Sequence, residues 1–265
     1  MNHLLRGHAP ISDAGWKAIE DEAKPRLSTY LAARKLVDFS GPHGWSHSAT
    51  ELGRVDYIDP LDEGVTAAQR RVLPLVELRA PFVVSRDELF DADRGADDLE
   101  FPELDAAAAR IAVAENTAVM YGYGAASIAG ISERTSHTPV ALGEEVRAYP
   151  TRVSDAINRL LGTGISGPFG LAVSPAAYTE ILETSESGDL LMDHITKILG
   201  GPVVRTTGLT GGVLVSLRGG DFVLEVGQDI SIGYLSHNDN EVRLYFEESF
   251  TFRVIEPDAA IVLSV

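Results

Sequence analysis

No cysteine occurs in the 265 residues, which removes disulfides, thiolate nucleophiles and thiolate metal sites in one step. Nor is there an apolar run approaching the roughly 18 to 20 residues that a membrane-spanning helix needs. The amino end, Met1 to Arg6, has no secretory-type apolar stretch, so the cytoplasm is the expected compartment. Positive charge is scarce: 22 Lys and Arg stand against 39 Asp and Glu, a formal net charge of −17. A field of that sign opposes phosphate backbones and argues against a nucleic-acid container.

Motifs that carry catalysis are missing too. There is no Walker phosphate loop, no His-Glu-x-x-His and no Gly-x-Ser-x-Gly. Gly122-Tyr123-Gly124-Ala125-Ala126-Ser127 follows a helical stretch, whereas a dinucleotide loop has to follow a strand. His43 and His47 are four apart, but Gly44-Trp45-Ser46 between them breaks any helix, so loop packing is expected and no metal site. The carboxylate pairs Glu247-Glu248 and Asp97-Asp98 are candidates for acid/base work. Adjacent strand positions face opposite ways, so Glu247 and Glu248 do not share one site, and both pairs are expected to be solvated charge. Scattered Ser, His and Asp point to no triad.

What is present is an ordinary globular composition, 45% hydrophobic and 23% charged, in a chain long enough to bury a core. A helix is expected from Ser12 to Ala33, bent or divided at Pro25, followed by a short strand over Arg34 to Phe39. Two extended stretches follow, Glu51 to Asp59 and Arg71 to Val84, with charge mixed into the alternation of each. Neither presents a core face, so residues 48 to 84 read as a long two-stranded arm that needs a partner surface, for which a neighbouring subunit is the natural supplier. An Ala-rich helix covers Glu103 to Tyr121 and stops at Gly122. Further helices are expected over Thr151 to Leu161, Pro175 to Leu182 and Leu190 to Leu199, with a strand over Phe169 to Val173. Val213 to Leu217, Phe222 to Val226, Val242 to Phe246, Phe250 to Val254 and the apolar Ala259 to Val265 read as strands. The fold class is α+β.

Taken in order, several segments resemble an encapsulin shell protein, of the family also called linocin-type bacteriocins. They are Leu4 to Pro10 with Trp16, Arg34 to Asp38 followed by Gly41 to Trp45, and Leu73 to Arg79. Farther on come Glu88-Leu89 with Arg94-Gly95, Gly167-Pro168, Arg218 to Phe222, Gly227 to Tyr234, and Val242 to Leu244 with Phe250 to Phe252. Their joint order from end to end makes the resemblance specific.

The resemblance implies the tailed-phage major-capsid fold of the Hong Kong 97 type. Its peripheral domain would take 1–47, 85–131 and 221–253, its E-loop arm 48–84, and its axial domain 132–220 with a closing strand at 254–265. It implies a self-assembling icosahedral nanocompartment of about sixty copies that is no enzyme itself. Such a shell encloses a guest, a dye-decolorising peroxidase or a ferritin-like iron protein, held by a carboxyl-terminal peptide on the inner wall. Carried over by position, the docking groove would use Leu31, Arg34, Leu36, Asp38, Asp229, Ile230 and Tyr234. The loop rimming the five-fold pore would be Thr184, Ser185, Glu186, Ser187, Gly188 and Asp189. No flavin is expected, because Asp87 stands where some shells carry an aromatic residue. The rivals are a phage-type capsid subunit that packages DNA and a hydrolase-like, proteolytic or bacteriocin-like enzyme.

Overall fold

The last quarter of the chain supplies the central strand of one sheet and closes a second. The computed structural model describes residues 3–186 and 189–264. Helix α1, Asp13–Tyr30, opens where the Ser12 hydroxyl accepts a hydrogen bond from Gly15 N at 3.0 Å. It runs through Pro25 undivided. The expected strand over Arg34 to Phe39 is corrected. Ala33–Lys35 is a turn of 3₁₀ helix, and only Asp38–Ser40 is extended, as β1. Asn116 anchors the entry to that turn: its Oδ1 accepts from Ala32 N and Ala33 N at 3.0 and 2.9 Å while its Nδ2 donates to Tyr30 O at 2.8 Å. A buried side chain thereby satisfies backbone groups left over where α1 ends, just ahead of the turn.

Strands β2 (Ala49–Ile58) and β3 (Ala67–Pro74) form the arm, a two-stranded antiparallel hairpin. The expected Arg71 to Val84 strand is divided at Leu75. Its second part is β4, Val76–Ser85, which buries Ala80, Phe82 and Val84 inside the first sheet and so does have a core face. Helix α2, Arg86–Arg94, follows between the Ser85 cap and left-handed Gly95, in a charged block that had no assigned element. Helix α3, Pro102–Tyr121, starts on a proline already suited to the first turn and ends at Gly122, φ +93°. Short α4 is Ile131–Arg134 and β5 is Val140–Ala141. Then come α5 (Tyr149–Gly162), β6 (Phe169–Val173), α6 (Pro175–Glu183), β7 (Ser185–Glu186), β8 (Asp189–Leu190), α7 (Leu191–Leu199) and β9 (Val203–Arg205). The remaining strands are β10 (Gly212–Ser216), β11 (Phe222–Val226), β12 (Ser231–His237), β13 (Glu241–Val254) and β14 (Ala260–Ser264).

Long β13 organises the first sheet. β4 pairs along one side of it, β12 and then β11 along the other, and β1 adds to β11 in parallel. Alternation along β13 sends Val242, Leu244, Phe246, Glu248, Phe250 and Phe252 to one face. Part of that face meets α3, on which α1 packs, with Phe246, Leu104 and Ile19 fully buried between them. Burying each such large side chain contributes ~2 to 3 kcal/mol. The second sheet, in order β5-β14-β10-β6-β9, buries every residue of β6 and β10 under α5, α6 and α7. A common apolar cluster joins this sheet to the Phe250 and Phe252 end of β13.

Candidate functional site

Between α1, the 3₁₀ turn that follows it and β12 lies an open groove of about 410 Å³. Its apolar surface comes from Leu4, Ala23, Leu27, Leu31, Ile230, Ile232 and Phe246, and its polar surface includes Arg6, Glu20, Lys24, Arg34 and Asp229. Helix α1 contributes at positions 20, 23, 24, 27 and 28, the three-and-four spacing of one helical stripe, and Leu31 follows directly after its last turn.

At one end of the groove Arg34 gathers three carboxylates. Its Nε donates to Glu115 Oε2 at 2.7 Å, Nη1 to Asp229 Oδ1 at 2.7 Å and Nη2 to Glu248 Oε2 at 3.2 Å. Nη2 also lies 2.6 Å from Glu115 Oε2. The elements explain the meeting. Glu115 sits on the buried stripe of α3 with Ile111 and Ala118, Glu248 faces it from β13, and Asn116 fixes the turn that carries Arg34. Glu115 and Glu248 are both 0% exposed. Burial opposes the charge on Arg34, yet the hydrogen bond and charge of Glu115, and then those of Asp229, outweigh it and hold the guanidinium more firmly protonated than usual. For Glu248, burial and then the neighbouring Glu115 charge push the carboxyl well above the ordinary range, and Arg34 only partly opposes them.

The reading of Glu247 and Glu248 as solvated charge is therefore corrected. They do face opposite ways, but both are fully buried because each face supplies an arginine. Arg79 of β4 brings Nε to 2.6 Å from Glu247 Oε2 and lies over the Tyr245 ring, and His3 Nε2 is 2.9 Å from Glu247 Oε1. Asp97 and Asp98 are exposed.

Of the residues carried over for docking, the fold brings Leu31, Arg34, Asp229 and Ile230 together in the groove. It places Leu36 elsewhere, 2% exposed in the core under the second sheet. Asp38 lines a separate depression, where Oδ2 accepts from Gly220 N at 2.6 Å and so holds the Arg218 to Asp221 turn. Tyr234 turns its hydroxyl to His237 Nδ1 at 2.5 Å and does not line the groove. The sequence reading missed Leu4, Arg6, Glu20, Lys24, Leu27 and Ile232 on the walls and Glu115 behind them. The stripe through 20, 24, 27 and 31 was a usable signal. A Glu-Asn pair on the apolar stripe of an Ala-rich helix was another.

In the loop carried over for the pore, Thr184 Oγ1 donates to Glu180 O at 2.7 Å, and β7 pairs with β8 through Ser185 with Leu190 and Glu186 with Asp189. Ser187 and Gly188 lie outside the described residues. His43 and His47 sit with ring centroids 4.9 Å apart and bond to Ser40 Oγ and Glu225 Oε1 at 3.0 and 2.9 Å. Among the described residues, no group of three or more His, Asp and Glu is placed to hold a metal ion, and no helix is long and apolar enough to cross a membrane.

A family model described as an encapsulating protein for peroxidase matches residues 1–251. The type 1 encapsulin shell protein of Rhodococcus erythropolis is 41% identical over 264 residues, which cover 100% of each chain. The chain belongs to the encapsulin shell-protein family. The encapsulin fold has solved counterparts. A virus-like particle from Pyrococcus furiosus superposes with a TM-score of 0.66 at 16% identity, over 94% of this chain and 98% of that one. The capsid of an empty GTA particle gives 0.55 at 15% identity, over 88% and 89%. These likenesses show the fold: α+β, of the Hong Kong 97 capsid type. Membership of the encapsulin family and this fold point to a structural role rather than an enzymatic one.

Proposed function

We propose that about sixty copies of this encapsulin subunit close an icosahedral nanocompartment and capture a guest enzyme by seating its carboxyl-terminal peptide in the groove between α1 and β12. The observation that carries this reading is the groove itself. It is open and combines apolar side chains from α1 and β12 with the Arg34 and Asp229 ion pair, which suits an extended peptide with apolar anchors and a fixed register. The family description favours a peroxidase guest, and a ferritin-like protein, named in a fusion with an encapsulin shell from Pyrococcus furiosus, is the other candidate. On this reading the first sheet with α1 and α3 is the peripheral domain, and the second sheet with α5 to α7 is the axial domain. The cytoplasm is the compartment.

The test uses particles purified from the native cell. Mass spectrometry names the retained proteins, and the last ten or so residues of each are fused to a fluorescent protein that is co-produced with the shell. One fusion should remain with the particle through size exclusion, while the untagged fluorescent protein does not. Exclusion of every fusion would remove the docking reading.

We also propose that the β7–β8 hairpin rims a five-fold pore, where the carboxylates of Glu186 and Asp189, repeated by symmetry, concentrate cations. Glu186→Gln with Asp189→Asn should leave shells intact and slow terbium uptake, followed by luminescence inside the lumen, severalfold. Unchanged uptake would count against it.

A further inference from the structure

Residues 3–8 match the family pattern, yet they belong to neither apolar core, although Leu4 is buried. They lead from one face of the first sheet to the other across the free edge of β12. On the face that carries Glu247, the His3 ring stacks on Trp45 with centroids 3.8 Å apart and planes 12° apart, and Nε2 reaches Glu247 Oε1 at 2.9 Å. At the edge, Leu4 O accepts from Tyr234 N at 2.9 Å. Leu5 then adopts a left-handed conformation, φ 52°, which is unusual for a branched residue and turns the chain sharply. Beyond it the Arg6 guanidinium lies 4.1 Å over the Trp16 ring, and Nη2 donates to Glu20 Oε1 at 2.5 Å. Leu4 and Arg6 both line the groove.

We propose that residues 3–8 are a strap that forms the outer wall of the groove and holds a docked guest peptide against α1. The inference rests on the docking reading and adds positioning residues to it: His3 and Arg6 as clasps, Leu4 as the apolar wall. Without the strap, the trough becomes a shelf bounded by α1 and β12 alone. Both clasps close on aromatic rings from other segments, so the strap can detach while the cores stay packed. A wall that closes over bound peptide slows its departure more than it hinders its arrival, so the strap acts on the dissociation rate.

Trp16 and Trp45 are the two tryptophans of the chain, and each lies under one clasp, so detachment reads directly as a change in intrinsic emission. The probe is a fluorescein-labelled synthetic peptide with the last ten or so residues of the guest identified from native particles. The comparison is between unmodified shells, His3→Ala/Arg6→Ala shells and Leu4→Ser shells. The double variant should show altered tryptophan emission and release the peptide at least tenfold faster with a nearly unchanged association rate. Leu4→Ser should keep the emission and release the peptide severalfold faster. If the double variant does not assemble, Leu4→Ser decides. Unmodified release rates in the assembled variants would overturn the strap while leaving docking intact. A peptide that binds no shell at all, the unmodified one included, would overturn docking and the strap together.

Discussion

Excising residues 53 to 69 should leave a folded subunit that no longer closes shells. The hairpin of β2 and β3 contributes nothing to either apolar core, so both cores survive its loss. What the arm does carry is unpartnered apolar surface. Val55, Ile58, Val65 and Val72 are about half exposed, Tyr57 is 82% exposed, and Leu61 at the tip is fully exposed. A two-stranded hairpin exposed on both faces is marginal alone and gains its burial only against another surface. At ~25 cal/mol per Å², a few hundred Å² of apolar arm covered by a neighbour supplies about 5 to 10 kcal/mol per subunit. That has to offset the mutual repulsion of subunits that each carry −17. The base of the arm is secured by Leu75 N donating to Ser48 O at 2.9 Å and by His47 against Glu225, and both lie outside the excised stretch. Native mass spectrometry should therefore find free subunits or small open oligomers, with closed particles reduced at least tenfold. Closed shells of normal size would contradict the role given to the arm.

The second large effect belongs to Arg34. Arg34→Met leaves Glu115 and Glu248 buried without their guanidinium, and breaking a buried ion pair on one side costs about 3 to 5 kcal/mol. Much of that cost should return in Arg34→Met/Glu248→Gln, because the second change leaves only one of the two buried carboxyls to be accommodated without the guanidinium. The unmodified protein should show the same chemistry as a pH dependence. The folded-state pKa of Glu248 lies above its unfolded value of about 4.5, so the folded state binds its proton the more tightly. That contribution is fully present below the unfolded pKa and is lost as pH rises through the folded one. Calorimetric melting of shells should give a temperature that falls as pH rises above about 5, and Glu248→Gln should flatten that slope. Parallel slopes in the two proteins would show that folding does not raise the pKa of Glu248.

The elements legible in the sequence are those whose signals are local. Helix α3 is bounded by its own proline and glycine, and β6 is a short apolar run that starts and stops where the pattern does. Strand β13 was read as two strands, because Glu247-Glu248-Ser249 interrupts the apolar pattern. It is continuous because Arg34 and Arg79 cover those charges from far away in the chain. The same absence hid the sheet strand β4, whose Glu77 and Arg79 resembled arm residues until Glu247 appeared beside Arg79. Strand β12 went unread because Ser231, Gly233 and Ser236 dilute its alternation, and its pairing with β13 fixes it instead. In the groove, positions carried over from the family found Arg34 and Asp229, while Leu36 and Asp38, close by in sequence, turn away. The 3₁₀ turn held by Asn116 rotates the chain between them, and no spacing rule foresees a turn set by a residue on another helix.

Cryo-electron microscopy of the purified, unmodified chain, paired with sedimentation velocity, tests the central claim. The account predicts closed polyhedral particles of uniform size that persist on dilution and across moderate changes of salt and pH. A correctly folded sample that sediments only as a monomer at every concentration, salt and pH would contradict it.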